Sequence, residues 1–244
     1  MDFDPYASGY RATVNGALRG SGAEVGQLAG YKARLMLGLM DRELGDPRAL
    51  RVLDVGCGVG LIDVELAAGV GELHGADTSQ RSLDEATRLV PDAHFRHFDG
   101  QTFPYPDGGF DFVFAVCVLH HVPPAGRGAF VGEMARVARP GGIVFVLDHN
   151  PLNPVTRYVV SHCPLDRDAV LLRRASAVRL LAQPGLRFGG SAYIAFWPRP
   201  STVVERLEPM IGWLPAGAQY HAWATRVRGA DRADPSRAAT RLAS

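Results

Sequence analysis

Apolar and polar positions change their period along this chain. Between Glu24 and Leu44, apolar residues recur at Val25, Leu28, Leu35, Leu39 and Met40, the one-sided spacing of an amphipathic helix. Before it, Tyr6, Tyr10 and Val14 keep a looser helical spacing within Asp4–Leu18, which predicts one or two helices. From Leu50 the pattern becomes short apolar runs separated by helical stretches, the signature of βαβ units and a parallel sheet. Strands are predicted at Arg51–Val55, Glu72–Ala76, Ala93–Phe98, Phe110–Val118 and Ile143–Leu147, the fourth apolar enough for burial on both faces. Helices are predicted at Leu61–Gly69, Gln80–Leu89, Gly128–Ala138 and Ala175–Gln183. The stretch Asp148–Asp168, dense in Pro and Asn, reads as irregular and longer than a simple connection needs, which marks it as functional. Arg187–Trp197 and Ala218–Val227 read as two strands flanking a helix at Val203–Ile211. The pattern divides the chain into an N-terminal helical cap (1–45), a core (46–228) and a disordered Arg/Ala/Asp/Ser tail (229–244).

Composition narrows the class. The 244 residues are 47% hydrophobic, enough for one α/β core with a small addition. The 26 basic against 25 acidic side chains leave no global footprint for nucleic acid. Cys57, Cys117 and Cys163 are odd in number and form no CxxC pair, so neither a disulfide framework nor a cysteine zinc site is expected. His94 and His97 fall on opposite faces of a predicted strand, and no metal site is expected there. The acidic, aromatic N-terminus does not read as a signal peptide, and no apolar run reaches the roughly 20 residues of a membrane span. The expected location is the cytoplasm.

Candidate chemistry gathers at the carboxyl ends of the predicted strands. The first strand runs through VLDVGCGVG (Val52–Gly60) into a helix, so Cβ atoms are removed where a ligand meets free helical amides. Alone, this loop fits a dinucleotide, a flavin or a plain tight turn. The third glycine comes one residue earlier than in G-x-G-x-x-G, and no lysine follows, which points away from a pyrophosphate ligand. Asp77 ends the second strand, where it can accept from ribose hydroxyls or simply cap the next helix. Asp99, before Gly100, ends the third, where it can take an adenine amino group or serve a turn.

Val52–Gly60, Asp77, Phe98–Asp111, FVFAVCVLHHV (Phe112–Val122) and Ala138–Gly142 together resemble the successive motifs of class I S-adenosylmethionine-dependent methyltransferases, most nearly the ubiquinone/menaquinone type. That resemblance implies an α/β fold: a Rossmann-like, seven-stranded, mostly parallel sheet whose last strand pair is antiparallel, with helices on both faces. It implies S-adenosyl-L-methionine as cofactor, with Asp54, Gly56, Cys57 and Gly58 at its methionine portion. Asp77 and Thr78 would meet the ribose, Asp99 and Gly100 the adenine, and carbonyls near Ala115 and Val116 the amino group. Tyr10 resembles the N-terminal tyrosine that closes over the methionine end, and is otherwise a core aromatic. Asp148–Leu172 resembles a motif of a bacterial subgroup whose substrate is not defined.

The expected reaction is in-line methyl transfer to oxygen, nitrogen or carbon of a small, partly apolar acceptor, the aromatics Phe196, Trp197, Trp213, Tyr220 and Trp223 favouring such a molecule over nucleic acid. Positioning supplies most of the rate, on the order of 7–11 kcal/mol. A base is required only for a protonated nucleophile, and His120, His121 and His149 are the candidates. The alternatives are a protein that binds S-adenosylmethionine without transferring methyl, and an NAD-dependent oxidoreductase.

Overall fold

The computed structural model describes residues 3–19, 21–198 and 202–227; the predicted tail at 229–244 lies outside them. Seven strands form one sheet: β1 Arg51–Val55, β2 Glu72–Asp77, β3 His94–His97, β4 Phe110–Val116, β5 Ala138–His149, β6 Leu186–Ile194 and β7 Gln219–Arg226. Their order is β3-β2-β1-β4-β5-β7-β6. β1 to β5 are parallel, and β7 is inserted antiparallel between β5 and β6. The predicted strand–helix–strand ending is present, with α8 (Thr202–Ile211) between β6 and β7. No helix among the described residues is long and apolar enough to cross a membrane.

Alternation along the central strands builds two cores. Leu53, Val55, Val113, Ala115, Val144 and Val146 face α5 (Arg127–Val137) and α7 (Arg174–Leu181). Val52, Phe112, Phe114, Val116, Phe145 and Leu147 face α2 (Val25–Leu44) and α3 (Leu61–Leu66). α4 (Gln80–Leu89) packs on β3 and on the 3-10 segment Asp4–Gly9 that precedes α1 (Tyr10–Ala17).

Three sequence expectations are corrected. The helix expected to run to Ala138 ends at Val137; Ala138 opens β5 by pairing with Phe110, and the following four residues form an irregularity in the ladder before Ile143 pairs with Phe112. β3 is shorter than read, His94–His97. The segment read as irregular contains a helix, α6 (Pro154–His162), and a 3-10 turn, Pro164–Asp166. The same Asn and Pro that suggested a loop start that helix. The Asn153 side chain caps it at the Thr156 amide (3.0 Å), and Pro154 takes the first helical position, where no N–H is needed.

Candidate cofactor and catalytic site

β1 and β4 are neighbours whose following helices lie on opposite faces, so their carboxyl ends open a crevice between them. The loop after β1 turns through three glycines of positive φ. At Gly56 (φ +80°) a Cβ would fall 2.5 Å from Val118 Cγ2, so the loop packs against the end of β4. At Gly58 (φ +54°) a Cβ would meet nothing within 4 Å, which leaves its face open beside the strand ends. Gly58 N–H donates to Asp77 Oδ2 (2.8 Å) and Ser79 N–H to Oδ1 (2.9 Å). Each oxygen keeps a further lone pair, and burial pushes the carboxyl up against the effect of these amides. Ser79, not Asp77, caps α4 through the Ser82 amide.

The other cofactor candidates divide. Thr78 is exposed beside Gly100, its γ-methyl 3.5 Å from where a Gly100 Cβ would stand. Asp99 is exposed and its Oδ1 takes the amides of Gln101 and Thr102, the turn role weighed above, which occupies one oxygen only. The Cys57 thiol is buried against Gly75 in the sheet, while its backbone N–H donates to the Ala76 carbonyl (3.2 Å) and its carbonyl accepts from the Gly60 N–H (3.0 Å). Asp54 is buried, with Oδ1 unpartnered, close to Asp63, whose carboxyl oxygens are both unpartnered. Burial, then the Asp63 charge, raises the Asp54 carboxyl. Ala115 and Val116 are buried at the end of the β4–β5 ladder.

Directly after Val116, Cys117 takes a left-handed conformation (φ +59°), unusual for a side chain with a Cβ, and turns the chain off the sheet. Its thiol meets Gln219 Nε2 at 3.4 Å and Lys32 Nζ at 3.6 Å. Burial alone would raise this thiol, but Lys32 and then His149 bring it down to about 7. His149 is half-buried at the end of β5, its Nδ1 3.4 Å from Gln219 Nε2. Neither Lys32 nor Gln219 was singled out from the sequence. The signal for Lys32 was a cation on the apolar face of α2, among Ala29, Ala33 and Met36.

His120 is clasped by carboxylates. Its Nδ1 meets Asp148 Oδ1 at 2.5 Å, its backbone N–H donates to Asp148 Oδ2 at 3.2 Å, and its Nε2 lies 3.3 Å from Asp166 Oδ1. Against the pull of burial, Asp148 and then Asp166 hold the imidazole protonated, up to about 10. His121 stands beside it, ring centroids 4.1 Å apart, with the edge of Phe3 against its own ring. Tyr10 is half-buried between the two halves of the site. Burial pushes its phenol up, and Cys117, Asp166, Cys163 and Asp77 add to the shift. Tyr6, Tyr10 and Val14 pack with Val159, Cys163 and Leu165, so the N-terminal segment and α6 form one cover over the strand ends.

The sheet order, the glycine loop at the β1–β4 crevice and the acids after β2 and β3 define a Rossmann-like α/β fold with a ligand crevice at its strand ends. Residues 53–146 match the family described as a methyltransferase domain. A relative is the 2-methyl-6-phytyl-1,4-hydroquinone methyltransferase of Synechocystis sp., 38% identical over 108 residues, 43% of this chain and 33% of that protein. The chain spans about a third to a half of the length of the curated relatives it first matches. Among solved structures, the methyltransferase bound to the Trm112 activator of Haloferax volcanii superposes with a TM-score of 0.64 at 20% identity, over 93% of this chain and 99% of that one. The [4+2]-cyclase SpnF superposes at 0.58 and 21% identity, over 81% and 82%. At these identities the structures share the fold.

Proposed function

We propose that this chain transfers the methyl group of S-adenosyl-L-methionine to a small, partly apolar acceptor by in-line displacement. One observation carries the reading: the open glycine loop and a partly buried polar cluster, Cys117, Lys32, His149 and Gln219, lie at one end of the sheet with Tyr10 close by. The sulfonium supplies an already activated methyl group. The protein's work is then to bind, orient and exclude water.

Gly56, Gly58 and the Cys57 backbone would hold the methionine portion, with the unpartnered Asp54 oxygen beneath them. Asp77 has lone pairs left for the ribose hydroxyls, Thr78 flanks them, and Asp99 with Gly100 borders the adenine. Carbonyls near Ala115 and Val116 would receive the amino group, and Tyr10 closes the chamber.

A groove of about 830 Å³ runs along α6, lined by Tyr158, Val160 and Leu171 with Arg157, His162 and Asp166, and its size and mixed lining suit a small acceptor with an apolar body. The hydroquinone acceptor named for the Synechocystis relative is of this kind. His120 is wedged between two carboxylates and His121 faces Asp166, whereas the His149 ring meets Gln219, and by position His149 is the base for a protonated acceptor.

The test is S-adenosylhomocysteine release over a panel of hydroquinones, phenols, carboxylic acids and amines. Turnover with a phenolic member, reduced in His149→Gln with cofactor affinity retained, supports the proposal. S-adenosylhomocysteine binding without turnover across the panel favours a protein that binds the cofactor and does not transfer methyl.

A further inference from the structure

A second arrangement at this edge is unexplained by cofactor binding. His120 Nε2 and His121 Nε2 face the same carboxylate oxygen, Asp166 Oδ1, at 3.3 and 3.4 Å, and all three atoms lie within 4.8 Å of one another. The His120 contact is a hydrogen bond at the long end, and the His121 contact is longer still, both beyond the usual N–H···O range of about 2.7–3.2 Å. They match the ligand–ligand edge of a tetrahedral ion with bonds of about 2.0–2.1 Å, which geometry sets near 3.3–3.4 Å.

The surroundings match a metal site as well. The Asp148 carboxylate accepts the Nδ1 proton of His120; an incoming ion would displace the Nε2 proton now held toward Asp166, and the freed lone pair would then face the cluster, the carboxylate–histidine–metal pattern. Side-chain exposure is 1% for His120, 19% for His121 and 10% for Asp166, so the ligands are fixed and shielded while one side stays accessible. Asp166 also lines the groove along α6, which puts the cluster in contact with the proposed acceptor site.

We propose that His120, His121 and Asp166 bind one divalent transition-metal ion, zinc by its chemistry, with Asp148 positioning His120. Two imidazoles exclude magnesium and calcium, which take oxygen ligands. Three protein ligands leave a fourth position for water or an oxygen of the acceptor.

A second cluster, Glu72, His74 and His94, provides an internal control. Its carboxylate is already taken by Arg51 and by His74, and His94 is exposed, so it forms an ion-pair cluster of its own.

The experiment is equilibrium dialysis of the chelator-treated full chain against Zn²⁺, and a visible spectrum with Co²⁺. The expected result is one ion per chain and the intense band of tetrahedral Co²⁺, both lost in His121→Ala and in Asp166→Ala and both kept in His94→Gln. Asp148→Asn is expected to weaken binding about 10- to 100-fold while keeping the spectrum, as an orienting residue should. Circular dichroism identifies any variant that fails to fold, and the remaining ligand variant then decides. No stoichiometric binding in the wild type, or binding lost in His94→Gln and kept in Asp166→Ala, overturns the site. S-adenosylhomocysteine binding to the metal-free protein is measured in parallel, so failure of the metal site and failure of the methyltransferase reading are told apart.

Discussion

Cys117 concentrates the chemistry of a single residue. It sits in a strained backbone conformation, touches Lys32 and Gln219, and titrates near neutral pH because Lys32 and His149 outweigh its burial. Alkylation of Cys117, followed by site-resolved mass spectrometry, should therefore rise through pH 7 and not near 9. In Lys32→Met the opposing charge is gone and burial raises the thiol. Its reaction rate at neutral pH should then fall by about tenfold or more. An unchanged pH profile would show that Lys32 does not act on the thiol. The sequence made the glycine loop and Asp77 legible because their signal is local: spacing within one strand and turn. It did not disclose the Cys117 cluster, since Lys32, Cys117, His149 and Gln219 come from α2, β4, β5 and β7 and meet only through strand order. The His120–His121–Asp166 cluster was hidden for the same reason, its carboxylate standing 46 positions along the chain on a segment read as loop.

At the scale of elements, β7 closes the sheet and brings Gln219 opposite His149. Its Trp223 lies over Gly189 and Gly190 of β6, where the register shifts, and a Cβ on Gly189 would fall 2.1 Å from the indole. Gly189→Ala should lower stability by about 1–3 kcal/mol, as overpacking does, measurable as a reduced denaturation midpoint. Equal stability would mean that β6 moves away without cost. The sheet was legible because buried parallel strands are written as apolar runs. The bounds of β5 and the presence of α6 were not. Arg-Pro-Gly-Gly reads as a helix stop, yet here it also lies inside β5 as an irregularity between two paired positions, and Asn-Pro reads as a turn, yet here it caps and opens a helix.

For the molecule as a whole, Asp54 and Asp63 are buried together beneath the cofactor loop. Burial pushes the Asp63 carboxyl up to about 8, above its ordinary 3.8. A folded-state value above the unfolded one contributes stability that is complete below the unfolded value and is lost as pH rises through the folded one. Thermal melts of the wild type should therefore lose stability between about pH 4 and pH 8, and Asp63→Asn should flatten that slope. Parallel slopes for the two proteins would contradict the buried-acid assignment. This acid pair, the cover formed by α1 and α6, and the two sheet faces all serve one edge, where the cofactor and its acceptor are proposed to meet.

The most direct test of that proposal is calorimetric titration of the full chain with S-adenosylhomocysteine. One site of micromolar or tighter affinity is predicted, weakened about 10- to 100-fold in Asp77→Asn by loss of charge-assisted hydrogen bonds, and strongly impaired in Gly58→Ala, whose Cβ enters the open face of the loop. The absence of S-adenosylhomocysteine binding in the wild type, with NAD binding in its place, would contradict it.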